Sequence, residues 1–187
     1  MADEPRLRAD ARRNRDALLR AAAAGFAAGA DPTLEKIARD AGVGIGTLYR
    51  HFPTREALVE AVYRTELATV TASAGELLAE HAPAAALRAW MDRYAEFVTT
   101  KRGMADTFRA MVADGTVASP QTRAAIDGAV ATLLVAGARD GSLRADLEAD
   151  DVVTALVGVL LATGDAPDRA RLARLLDLVA AGCAPRT

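Results

Sequence analysis

The side chains best suited to recognition chemistry stand together in Ile45-Gly46-Thr47-Leu48-Tyr49-Arg50-His51. Thr47, Tyr49 and His51 can donate to phosphate oxygens, and Arg50 carries a planar fork that can meet a guanine edge bidentately. Gly46 has no side chain to hold a nucleic-acid surface away, and Ile45 lies beside it on the same outer side. Thr33 and Arg55 flank this stretch at the starts of two further helices, where free N–H groups and the helix dipole favour a phosphate. Each residue also has a plain structural use. Thr33 caps a helix, Tyr49 packs by its flat side, and Arg50 is solvated. In this order and this close together they read as one DNA-contacting surface, with Arg50 as the base reader and Thr33 and Arg55 as clamps on the backbone.

Catalytic chemistry has no comparable set. Paired carboxylates, a nucleophile beside a base and a phosphate-cradling loop are all missing from the pattern. His51 and His81 are too far apart to suggest a shared site, and no HEXXH spacing occurs. Asp150-Asp151 reads as an acidic helix start. The single cysteine, Cys183, rules out an internal disulfide and a cysteine metal cluster. The expectation is therefore a non-enzyme with no catalytic residue, no metal site and no cofactor.

The elements that position these residues are helical. The chain has 187 residues, 51% of them hydrophobic and only 4% aromatic, with Ala and Leu dominant and no alternating β-branched run. A first helix is expected from about Ala9 to Ala28, with Ala11, Leu18, Ala22 and Phe26 on one side and Arg12, Arg13, Arg15 and Arg20 on the other. Gly29 and Pro32 break it, and Thr33 caps a second helix whose stripe is Leu34, Ile37, Ala38 and Ala41. Ala41-Gly42-Val43 is too short a link for antiparallel packing, so the third helix, Ile45 to His51, crosses the second steeply, as in a helix-turn-helix. Gly42 is the position that needs positive φ. Val43, Leu48 and Phe52 then face inward.

A long helix is expected from Arg55 to about Glu80. The later helical patterns fall at about Ala84 to Thr99, Met104 to Asp114, Pro120 to Asp140, Asp150 to Ala162 and Pro167 to Ala181. The architecture is all-α: a three-helix unit carrying the helix-turn-helix, joined by the long helix to a C-terminal helical body. The boundary is drawn within that helix, giving a DNA-binding domain over 1–63 and a body over 64–187. The charged N-terminus and the shortness of the longest apolar stretch, Val152 to Ala162, suggest no signal peptide, no membrane partner and a cytoplasmic protein.

Net charge is −2, but it is unevenly spread. From Pro5 to Arg55 there are ten Lys and Arg against five Asp and Glu, whereas the chain from Glu56 onward has thirteen against eighteen. A basic head on an acidic body fits a specific duplex binder better than a nonspecific architectural one.

In the body, the helix holding Val153, Leu156, Val157 and Leu160 is apolar nearly all round and must be covered on more than one side. Leu172, Leu175, Leu176 and Val179 add a second stripe. These eight are the candidate dimer interface, two helices from each chain forming a four-helix bundle; burial within one chain is the other reading. Trp90, Tyr94 and Phe97 line one helix face, and Met104, Phe108 and Met111 the next. They either wall a pocket for a small molecule or are plain core. Arg93, Thr107 and Arg109 are the polar residues that would orient a ligand.

The stretch LEKIARDAGVGIGTLYRHFPTREALVEAVY resembles the N-terminal domain of the TetR family of bacterial transcription regulators. The resemblance covers about Asp10 to Tyr63 and rests on Thr33, Ile37, Ala38, Ala41-Gly42-Val43, Gly46-Thr47-Leu48-Tyr49, His51-Phe52 and Leu58. Gly44 stands where serine is frequent and Arg55 where lysine is commoner; both replacements keep the capping or charge role. LRAWMDRYAEFVTTKRGMADTF is similar to a C-terminal subgroup of the same family. The resemblance implies a homodimer on double-stranded operator DNA with two-fold symmetry. It also implies a small-molecule effector in the body and repression relieved by that effector. A regulator whose body answers to a protein partner, or to nothing, is the alternative.

Overall fold

A computed structural model describes residues 4–28, 31–102, 120–164 and 168–186. Among them are eight helices and no strand: α1 Glu4–Ala27, α2 Leu34–Asp40, α3 Ile45–His51, α4 Arg55–Glu80, α5 Pro83–Arg102, α6 Pro120–Asp140, α7 Ala149–Ala162 and α8 Arg169–Gly182. The expected helix over Met104 to Asp114 lies outside the described residues. The chain divides into two units. One runs up to Glu66; the other takes Leu67–Val98 and the described chain from Pro120 onward.

In the first unit, Leu18, Leu19, Ala22 and Phe26 of α1 meet Ile37 and Ala38 of α2, Leu48 and Phe52 at α3, and Leu58, Val59, Val62 and Tyr63 of α4 as one buried set. Ala11, expected on that stripe, is exposed. A single methyl group among Arg8, Arg12 and Arg15 buries too little apolar area to bring its turn into the core. α1 also begins earlier than its apolar pattern, at Glu4. The α1–α2 turn packs tightly: a Cβ on Gly25 would lie 2.8 Å from Pro32 Cγ.

The second unit is built on Trp90. It is fully buried, stacks on Tyr94 at 5.3 Å between centroids and donates its Nε1–H to the Val70 carbonyl at 2.9 Å. The one buried polar side chain among the described residues, Ser73, donates to the same carbonyl at 2.8 Å. α6 supplies Ile126, Ala129, Val130, Leu133 and Leu134. α6 gives way at Gly141, with φ +78°, and Leu143 folds back beneath Gly137, whose missing side chain makes the room. The Arg144 N–H reaches the Cys183 carbonyl at 2.9 Å, tying this loop to the end of α8. α7 packs against α6 and α8, burying Val152, Val153, Leu156 and Leu160, and α8 contributes Leu176. Among the described residues, no helix is long and apolar enough to cross a membrane.

Candidate nucleic-acid interface

The α2–α3 turn is set by backbone chemistry. Gly42 has φ +69°, its N–H bonds the Arg39 carbonyl at 3.0 Å, and the Val43 N–H bonds the Ala38 carbonyl at 3.0 Å. That pair of bonds is a Schellman termination, which satisfies the last carbonyls of α2 and requires the left-handed conformation that glycine adopts without penalty. Thr33 caps the other end of α2, its Oγ1 accepting from the Lys36 N–H at 3.3 Å. α3 starts from Gly44, which gives no side-chain cap, and the Gly44 carbonyl accepts from Thr47 and Leu48.

Leu48, fully buried, and Phe52 anchor α3 to the core. Ile45, Gly46, Tyr49 and Arg50 are exposed on the opposite face, whereas Thr47 and His51 are half-buried at its margins. Arg50 lies back along its own helix, with Nε donating to the Gly46 carbonyl at 3.3 Å. A Cβ at Gly46 or Gly44 would meet nothing within 4 Å, so the fold itself gives neither glycine a packing reason. Glycine inside a helix costs roughly 0.5–1 kcal/mol relative to alanine, and at Gly46 no packing contact offsets it. The Arg15 guanidinium sits over the Phe52 ring at 5.4 Å and closes the far end of α3 with positive charge.

Arg55, expected as a clamp on the DNA backbone, also has partners within the chain. Nη1 donates to the Pro32 carbonyl at 2.8 Å, Nη2 pairs with Asp31, and the guanidinium covers the Phe26 ring at 5.8 Å. Its side chain keeps only 25% of its exposure. The first turn of α4 is similarly occupied. Thr54, a cap the sequence reading passed over, accepts from the Ala57 N–H at 3.2 Å. The Glu56 carboxyl is held below its ordinary pKa by its own backbone N–H and the Thr54 hydroxyl. Thr54 had a legible signal, a hydroxyl residue just before a helix. Asp31 and Pro32 had none, because their tie to Arg55 spans the whole helix-turn-helix.

The body candidates divide. Trp90, Tyr94 and Phe97 are buried in mutual contact. Met104, Phe108 and Met111, with Thr107 and Arg109, lie outside the described residues. Arg93 pairs with Glu76 at 3.4 Å on the surface. Of the pairing candidates, Val153, Leu156, Leu160 and Leu176 are covered by the chain's own helices, while Val157, Leu172, Leu175 and Val179 are half-buried. On α7 and α8 the open large apolar side chains are Leu161, 77% exposed, and Leu178, 68% exposed, and Val135 of α6 is also exposed. α6 and α8 cover the inner side of α7.

Comparison with known proteins agrees with this geometry. Residues 18–62 match the family described as bacterial regulatory proteins, tetR family, and residues 82–185 match the transcriptional regulator SbtR-like C-terminal domain. Among solved structures, a TetR transcriptional regulator from Streptomyces coelicolor is 48% identical, with a TM-score of 0.80 over 92% of this chain and 99% of that one. A TetR regulatory protein from Mycobacterium vanbaalenii is 34% identical, with a TM-score of 0.74 over 96% of this chain and 99% of that one. SmeT, described as the repressor of the Stenotrophomonas maltophilia multidrug efflux pump SmeDEF, shares the fold at 21% identity, with a TM-score of 0.61 over 91% and 90%. Among curated proteins none matches.

Proposed function

The chain belongs to the TetR family of bacterial regulatory proteins and is a transcriptional regulator, and from that premise we propose that it represses transcription as a homodimer on a two-fold symmetric operator and is released by a small-molecule effector. The DNA-binding part is taken as 1–63 and the body as 64–187. The observation that carries DNA recognition is the open face of α3. Ile45, Gly46, Tyr49 and Arg50 stand exposed there on a helix that Leu48 and Phe52 fix to the core. On this reading Arg50 meets a guanine edge, Thr47, Tyr49 and His51 donate to phosphates beside it, and Thr33 adds a contact from the start of α2. Gly42 keeps α3 at its angle. Arg55 holds the turn that carries Thr33.

Pairing through α7 and α8 is supported by Leu161 and Leu178, large apolar side chains left in solvent. A two-fold dimer would set two α3 helices about one DNA turn, or a multiple, apart. Such a dimer occludes a promoter, and an effector that re-spaces the heads releases it.

The test is footprinting of the purified protein on DNA upstream of its own gene and neighbours. A symmetric protected site with preference over random duplex supports the reading, and that site becomes the probe for compounds that release the protein. A folded protein that protects nothing at low salt refutes autonomous DNA recognition. A specific site that no small molecule releases points instead to a body answering to a protein partner.

A further inference from the structure

We propose that Ile45 reads the 5-methyl group of a thymine, so that each half-site contains a thymine recognised by that methyl alone, close to the guanine met by Arg50. The inference rests on the reading that α3 enters the major groove and goes further, to a specificity-determining contact and its chemistry.

A lone exposed apolar side chain is ordinary on a protein surface. Three observations set Ile45 apart. Its neighbours Gly44 and Gly46 are bare, and a Cβ at either would meet nothing within 4 Å. The isoleucine therefore stands as a knob on an open stretch of backbone. Tyr49, one turn later, is also exposed, so Ile45 at 39% and Tyr49 at 47% form the only exposed large apolar ridge among the described residues of the first unit. Arg50 folds back toward the same place, its Nε donating to the Gly46 carbonyl at 3.3 Å. An arginine and an apolar knob thus both stand exposed on the short helix α3.

The partner follows from groove chemistry. The base edges in the major groove are hydrogen-bond donors and acceptors, with one apolar exception, the thymine C5-methyl. A branched aliphatic side chain gains nothing from the polar edges and gains desolvated contact from that methyl. Tyr49 can pack beside Ile45 while its hydroxyl turns to the backbone phosphates, which keeps water from the contact.

The experiment replaces each thymine of the footprinted operator with deoxyuridine, which deletes the methyl and leaves every hydrogen bond in place. Affinity is measured for the full-length protein and for Ile45→Ala. One position per half-site should cost about fourfold, the worth of one buried methyl group, and about fifteenfold when both half-sites are changed. Ile45→Ala should bind the natural operator more weakly by a similar factor and be indifferent to deoxyuridine at that position. Its circular dichroism melt should match the parent, since the side chain is outside the core.

Replacing that thymine with 5-methylcytosine should retain part of the affinity that plain cytosine loses. Indifference of the parent protein to every deoxyuridine, or sensitivity that persists in Ile45→Ala, overturns the assignment. Either result leaves operator binding itself intact, whereas a parent protein that fails to prefer the operator at all refutes the DNA-binding reading beneath it.

Discussion

Arg55→Ala separates two roles for one residue, a clamp on DNA and a clamp on the protein. The hydrogen bond from its charged Nη1 to the Pro32 carbonyl is of the kind worth roughly 1.5–3 kcal/mol, and its partial exposure favours the lower end. Cover of the Phe26 ring adds about 0.5–1 kcal/mol. The pairing with Asp31, whose side chain is 77% exposed, adds about 0–1 kcal/mol. Together the loss is about 2–3 kcal/mol, a fall in melting temperature of roughly 5–10 °C. Arg55→Lys should lose around half of this, because one ammonium cannot replace a fork that holds two oxygens at once.

The assay pairs thermal melts with operator affinity measured across salt concentrations. A phosphate contact from Arg55 in each protomer of a dimer would contribute about 1.8 to the slope of log affinity against log salt. The protein clamp predicts a lowered melt with that slope preserved. An unchanged melt together with a slope reduced by about 1.8 would refute the reasoning and return Arg55 to the DNA.

Other consequences of the structure are open to the same kind of check. Gly42→Ala places a side chain at φ +69°, costs about 1–2 kcal/mol, and should weaken operator binding beyond the effect on melting, because the crossing of α2 and α3 depends on that turn. Asp146 accepts from Arg144 Nε and Nη2 at 2.9 and 2.7 Å, and this pairing lowers its pKa to about 2. A carboxyl with a depressed folded pKa contributes its full stability above about pH 4 and loses it as pH falls toward 2. Acid titration of the second unit should therefore show a component in that window that Asp146→Asn removes. Leu161→Glu with Leu178→Glu, both on open surface, should leave the monomer folded and shift sedimentation from dimer to monomer; a double variant that stays dimeric places the pairing elsewhere.

How much of this was legible in the sequence differs by element, and the reasons are physical. α6 appears at its expected limits, Pro120 to Asp140, because Pro opens it and Gly141 closes it with positive φ. The turn at Gly42 was legible, and of the inward set Val43, Leu48 and Phe52 the last two are buried while Val43 is half-buried, because a short helix with two apolar anchors has one way to face a core. Arg55 was not, since its partners lie before α2 and approach it only when the three helices have folded around each other.

α7 resisted for a different reason. Its residues are apolar on every side, so periodicity contains no direction, and Val153, Leu156 and Leu160 cannot be told from Leu161 by spacing. Direction comes from the neighbours: α6 and α8 cover the first three and leave Leu161 77% exposed. Trp90 poses the same problem in the interior, where an aromatic stripe fits a core and a pocket wall equally well. The indole N–H is held by the Val70 carbonyl, which fixes the ring whichever of the two roles it plays.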